Sequence, residues 1–149
     1  LQGYAAAAKF VPLVDAAPNA SMAEPQVLAN EATRAVNALG GIDVLVLGMG
    51  ADGHTASLFP QAPQLDIGLD LAQAAGCIAT SPQTAPFERV SLNLSAILSA
   101  KHIAVAIGGG ADKHAVYAQL KTAPSKALPL SYVLHRTANK PSIGVWLND

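Results

Sequence analysis

Cysteine is almost absent from this chain: Cys77 is the only one in 149 residues, which excludes an intramolecular disulfide and any cluster of thiolates around a metal. A lone cysteine is expected to be a small buried apolar side chain, in a protein of a reducing compartment. Charge is scarce too. Asp, Glu, Lys and Arg make up 13% of the residues and the formal net charge is -1, so no basic excess exists to neutralise a run of phosphates and nucleic-acid binding is not expected. Long apolar runs are also lacking. Runs such as that within residues 42–47, interrupted by Asp43, fall far short of the about 20 residues that cross a bilayer, and no basic segment followed by an apolar one opens the chain. The expectation is a soluble cytoplasmic protein with no membrane partner.

Apolar residues are plentiful, at 51% of the sequence, which supplies one compact core and predicts a single domain over residues 1–149. The first residue is Leu1, and "LQGYAAAAKF" reads as the end of a helix. The expectation is therefore a domain whose amino-terminal part lies outside this sequence.

Periodicity organises the rest. Leu28, Ala32, Ala35, Val36 and Leu39 recur at the spacing of one helical face, and Ser21 with Glu24 has the form of a capping box, which predicts a helix over residues 21–39. Gly40 and Gly41 stop it. "IDVLVLG" then runs apolar without alternation, the pattern of a strand buried on both faces of a parallel sheet. Further strands are expected at "CIATS", "RVSLNLS", "HIAVAIG" and "SIGVWLN", with a helix at "ADKHAVYAQL". Residues 60–75 and "KTAPSKALP" read as surface loops. Strands alternating with helices define an α/β fold, a mostly parallel Rossmann-like sheet with helices on both faces.

Two glycine-rich loops follow buried-type strands: "GMGADGHTASLFP" over residues 48–60 and "GGGADK" over residues 108–113. The carboxyl ends of strands in such a sheet are where ligands bind, beside helix amino termini with unpaired N–H groups. Gly48, Gly50 and Gly53 satisfy G-x-G-x-x-G in letters. Pro60 and Pro63 leave hardly two turns of helix after His54, however, and Asp66 and Asp70 sit in loop-like sequence, so a dinucleotide cofactor is not expected. The second loop lacks Walker spacing. Its lysine, Lys113, either meets a single phosphate at a helix start or solvates a helix face.

The string "DVLVLGMGADGHTASLFP" resembles the signature of the 6-phosphogluconolactonase family, with Ala51 where the family usually has proline. The likeness continues through "PFERVSLNLSAILSAKHIAVAIGGGADK" to the closing "SIGVWLND", and it covers essentially the whole chain. It lacks the family's opening strand, phosphate loop and Asp-Glu-Arg segment, about a third of a usual member. The resemblance implies the sheet shared with sugar-phosphate isomerases and glucosamine-6-phosphate deaminases, of which this chain would be the carboxyl-terminal two-thirds. The deaminases carry a similar D-G-H core but typically continue I-A-F-N-E-P, where this chain reads Thr55, Ala56, Ser57, Leu58, Phe59, Pro60.

The implied activity is hydrolysis of 6-phospho-D-glucono-1,5-lactone to 6-phosphogluconate, in the oxidative branch of the pentose phosphate pathway, with no cofactor and no metal. Such a reaction needs water activated against the ring carbonyl, donors for the oxyanion, and an anchor for the phosphate. Imidazole, with an ordinary pKa of about 6.5, suits the base at neutral pH. His54, on a turn bounded by Gly50 and Gly53, is the candidate, and the backbone N–H groups there are candidate oxyanion donors. His102, His114 and His135 occur in no such loop and read as structural. Asp52 either orients His54 or caps a short helix starting near it. Arg89 is implied to hold phosphate or hydroxyl, against the plainer reading of an ion pair with Glu88. Gly48, Gly50, Gly53, Arg89 and Lys113 thus form the expected binding set around His54 and Asp52. No G-x-S-x-G elbow or H-E-x-x-H is present, which favours direct attack by water. Amino-sugar-phosphate deamination and plain sugar-phosphate binding are the competing readings. An exposed sheet edge would favour pairing with a second copy.

Overall fold

The computed structural model describes residues 3, 6–14, 24–83, 86–136 and 141–148. Three parallel strands form the main sheet, in the order β1 (Val44–Gly48), β4 (His102–Gly108), β5 (Ser142–Asn148). Val44 lies beside His102 and His102 beside Ser142, so all three strands start level and their carboxyl ends share one edge. A separate antiparallel pair, β2 (Cys77–Thr80) and β3 (Arg89–Leu92), stands apart from that sheet. Helix α1 (Pro25–Asn37) packs on this hairpin through the fully buried Ala29 and Ala32.

The core lies on one face of the three-stranded sheet. Leu47, Ile103, Val105 and Ile107 point into it and meet Leu94 and Ile97 of α3 (Leu94–Leu98) and Leu130 and Val133 of α5 (Leu130–Leu134). Helices α2 (Leu65–Leu69) and α4 (Gly110–Leu120) complete that layer, contributing Leu65, Leu69 and Leu120. The opposite face is open: Val44 is 60% and Val46 68% exposed. The continuous apolar run of β1 therefore does not mark burial on both faces in this chain. Alternate residues go inward, and the outward ones meet no helix among the described residues.

Other boundaries shift for local reasons. Helix α1 starts at Pro25 rather than residue 21, because proline suits the first helical position, where its missing N–H is no loss. Ser21, half of the expected capping box, lies outside the described residues, and Glu24 makes no side-chain cap bond. Residues 6–10 are turn and coil, which corrects the helical reading of the opening stretch; residues 1, 2, 4 and 5 of it lie outside the described set. Within the expected loop of residues 60–75, Leu65 and Leu69 bury themselves on consecutive turns of α2. "RVSLNLS" is a strand only as far as Leu92.

Asn93 ends it. Its side-chain oxygen accepts from Ala96 N at 2.8 Å, capping α3, and from Gly76 N at 3.2 Å, while its amide donates to Ala74 O at 2.7 Å. One buried side chain thus closes a helix and ties it to the start of β2. Asn93→Ala removes the cap and leaves two buried backbone groups unpaired, an expected loss of about 2 kcal/mol. A urea titration checks this: the midpoint falls while the slope stays that of the parent chain.

Cys77 is buried, as the sequence reading expects, at the start of β2. Its N–H donates to Thr33 Oγ1 at 2.8 Å, and Thr33 Oγ1 donates in turn to Ala29 O at 2.9 Å. Burial pushes the thiol up from its ordinary value, with a smaller opposing effect from the Thr33 hydrogen bond. With little thiolate and little access, Cys77 is expected to resist a disulfide-exchange reagent at pH 8 in the folded chain and to react fully in denaturant. Rapid stoichiometric labelling of the native protein would contradict this placement.

Candidate active site

The loop leaving β1 folds back on itself through short-range hydrogen bonds. Gly50 N donates to His54 O at 3.0 Å, Gly53 N to Gly50 O at 3.0 Å, and the fully buried Thr55 sends its hydroxyl to Gly48 O at 2.9 Å. Gly53 has φ 74°, a left-handed conformation that favours glycine. A Cβ there would also come within 2.7 Å of Leu128 Cδ2. Leu130 N donates to Gly53 O at 3.0 Å, so the loop preceding α5 clamps the turn from outside.

This turn fixes one imidazole. Asp52 Oδ1 lies 2.5 Å from His54 Nδ1 and also accepts from His54 N at 3.2 Å. No helix begins near His54, so Asp52 has none to cap; the next helix is α2, at Leu65. With the ring proton on Nδ1 the carboxylate accepts it, and Nε2 is the nitrogen left able to accept. The Phe59 ring packs against the imidazole, with centroids 4.2 Å apart. On another side stands Gly50, where an added Cβ would overlap the imidazole and come within 2.7 Å of Asp52 Oδ1. His54 and Asp52 are each about one-third exposed, open to a small molecule but held in place.

The glycines serve shape more than donation. The N–H groups of Gly50 and Gly53 are both used inside the turn, which corrects the expectation that they face an oxyanion. The G-x-G-x-x-G letters likewise lack the helix that a dinucleotide fingerprint needs. Asp66 lies in α2 and pairs with Lys126 at 2.8 Å, while Asp70 accepts from Ala72 N and Gln73 Nε2; neither ends a strand.

Topology places the second loop beside the first. Gly48 of β1 is level with Ala106 of the adjacent β4, and two residues further Gly108 leads into α4. Neighbouring strands run about 4.8 Å apart, so both glycine loops open on one edge. The first N–H groups of α4 have no partner within the helix, and no side chain caps them. Lys113 lies in that first turn, half-buried and without an ion-pair partner among the described residues.

Arg89 comes from the hairpin. Ser91, on the same face of β3, donates nothing to the turn but accepts from Ser57 N at 3.0 Å, which ties β3 to the loop three residues past His54. Arg89 lies two positions along, roughly 7 Å by strand geometry. Its guanidinium donates to Phe87 O at 2.8 Å and sits over the Phe87 ring. Glu88 accepts instead from Ser81 Oγ, so the alternative reading of Arg89, a side-chain ion pair with Glu88, is not what forms. The remaining histidines have local tasks. His135 Nε2 meets Leu120 O at 2.9 Å at the end of α4, His102 Nδ1 meets Ser142 Oγ at 2.5 Å across β4 and β5, and His114 Nε2 is buried without a partner.

A cavity of about 630 Å³ borders this site, walled by Asp52, Pro60, Leu65, Asp66, Lys126 and Leu128. Asp52 is in its wall and His54 is not. Among the described residues no cluster of three or more His, Cys, Asp or Glu could hold a metal ion, and no helix is long and apolar enough to cross a membrane.

An Asp–His pair and a lysine-bearing helix start lie along one edge of this parallel α/β sheet, and the chain belongs to the glucosamine-6-phosphate isomerases/6-phosphogluconolactonase family, whose pattern matches residues 2–142. The 6-phosphogluconolactonase of Neisseria meningitidis serogroup A is 38% identical over 135 residues, covering 91% of this chain and 57% of its own length. A crystal structure from Neisseria gonorrhoeae matches with a TM-score of 0.84 and 36% identity, over 96% of this chain and 59% of its own. A 6-phosphogluconolactonase structure from Shewanella baltica matches with a TM-score of 0.75 and 34% identity, over 83% of this chain and 52% of its own. The chain thus spans little more than half the length of these relatives.

Phe59, Thr55, Ser91 and Leu128 complete the site and were not singled out by sequence reasoning. Thr55 and Phe59 sit inside the matched motif, which was the available signal. Ser91 and Leu128 had none, because each reaches the turn from more than 30 residues away.

Proposed function

We propose that the protein containing this chain hydrolyses a phosphorylated sugar lactone, 6-phospho-D-glucono-1,5-lactone, to the open acid. The observation that carries the reading is the Asp52–His54 pair at 2.5 Å, with Nε2 left free at the sheet edge. His54 Nε2 takes a proton from water as the oxygen attacks the lactone carbonyl. The tetrahedral intermediate then expels the ring oxygen, which receives that proton back from the imidazolium. Asp52 holds the ring in the required tautomer and stabilises it while it is charged, a role that the 2.5 Å contact suits.

Lys113 and the unpaired N–H groups starting α4 hold the phosphate, and Arg89 holds phosphate or a hydroxyl once released from the Phe87 carbonyl. Gly48 and Gly50 keep the backbone low, so that the sugar approaches the imidazole closely. Four of the expected binding residues, Gly48, Gly50, Arg89 and Lys113, thereby take substrate-facing roles, while Gly53 shapes the turn. We place the protein in the cytoplasm, a reading that its single buried cysteine supports. The test follows decay of freshly generated lactone by NMR against spontaneous hydrolysis. Acceleration by the protein is expected; turnover of glucosamine 6-phosphate with no effect on the lactone would overturn the reading.

A further inference from the structure

Among the described residues, two that are not glycine have a left-handed backbone, Ala56 at φ 49° and Gln61 at φ 63°, and Phe59 stands between them. A residue with a Cβ adopts that conformation at a cost, and such outliers persist only where the surroundings enforce them. The surroundings do so here. Leu58 N donates to Thr55 O at 2.9 Å across a tight turn, the Thr55 hydroxyl is tied to Gly48 O at 2.9 Å, and Ser57 N is held by Ser91 Oγ at 3.0 Å. Leu58 enters the core and anchors the far side of the turn. The reversal carries Phe59 back onto His54, with ring centroids 4.2 Å apart and planes inclined by 33°. That inclination is nearer to a stacked than to an edge-to-face pair, so the imidazole lies against the face of the phenyl ring.

We propose that Phe59 is a positioning residue for the lactone reaction and acts through His54: its ring face stabilises the imidazolium that forms as water is deprotonated. The inference rests on the reading of His54 as the base. An aromatic face carries negative charge density and attracts a cation that lies within about 6 Å of its centroid. His54 gains its charge only as water attacks the lactone, so a contact that favours the charged ring lowers the barrier without tightening the ground state. Asp52 meets that charge at Nδ1, in the plane of the imidazole, and Phe59 meets it from the face. Phe59 is 8% exposed, so little water intervenes to screen the contact. Burial alone asks only for an apolar side chain at position 59; a cationic partner asks for an aromatic one.

Installing mono-, di- and trifluorinated phenylalanine at position 59 alone tests this, because fluorine drains charge from the ring face while leaving a ring of nearly the same size. Phe10 and Phe87 stay unmodified, which keeps the contact of Phe87 with Arg89 out of the measurement. Decay of the lactone, followed by NMR, is expected to give a kcat that falls with each fluorine, by about tenfold over the series, with KM and the unfolding midpoint unchanged. Phe59→Leu, apolar but without a ring, is expected to lose at least as much kcat at the same KM. Should Phe59→Leu fail to fold, the fluorinated series carries the result by itself, since it keeps the ring in the core. A parent activity that needs His54 but has the same kcat at every fluorine count overturns the proposal and leaves His54 as the base, Phe59 then being core packing only. No acceleration by the parent, or one that His54→Ala retains in full, overturns the reading of His54 and this proposal together.

Discussion

His54→Ala is expected to fall below the parent enzyme by about 10² to 10⁴ in kcat on the lactone, the usual contribution of a positioned general base, with KM little changed. The ring touches Phe59, Asp52 and the Gly50 backbone, and it is part of no core cluster, so the variant is expected to keep its fold. Asp52→Asn tests the other half of the pair. An amide in place of the carboxylate can present its NH₂ to Nδ1, which turns the ring to the wrong tautomer and withdraws the counter-charge when the imidazolium forms. Its kcat is expected to drop. The assay follows decay of the lactone by NMR. Full activity in a folded His54→Ala protein would remove the histidine from the mechanism.

Gly50→Ala is expected to cost nearly as much without touching a titrating group. The added methyl overlaps the imidazole and lies 2.7 Å from Asp52 Oδ1, well inside contact distance, so the ring must leave its place between Gly50 and Phe59. A displacement near 1 Å from the reacting geometry costs roughly 10²-fold in rate. Since Gly50 does not have positive φ, alanine fits its backbone and stability is expected to stay close to the parent's. Loss of kcat with an unchanged unfolding midpoint separates this from Gly53→Ala. There the φ of 74° and the Leu128 contact tax the fold itself. An active Gly50→Ala protein would mean that the imidazole does not work from the position described.

The sequence by itself determined the strands and the glycine-bounded turn. β4 and β5 coincide with "HIAVAIG" and "SIGVWLN", because unbroken β-branched runs bounded by loop residues allow little else. The spacing of Gly48, Gly50 and Gly53 made the turn and its His54 legible, and the family resemblance of the stretch from Gly48 to Pro60 strengthened His54 as the candidate base, with Asp52 left between two roles. Short helices were not. α2 and α5 have five residues each, too few for a period to show, and they exist because Leu65, Leu69, Leu130 and Val133 find a core to enter. The role of Asp52 was undecidable in one dimension, since an aspartate before a turn serves equally as helix cap or histidine partner; the absence of a helix at His54 decided it. Arg89 and Lys113 stand 35 and 59 residues from His54 in the chain, and only the parallel register of β1 with β4 and the Ser91–Ser57 bond bring their elements to its side. The fate of the apolar strand β1 was likewise hidden. A run of valines and leucines states that both faces tolerate burial, and only the tertiary structure shows which face this chain fills and which it holds open.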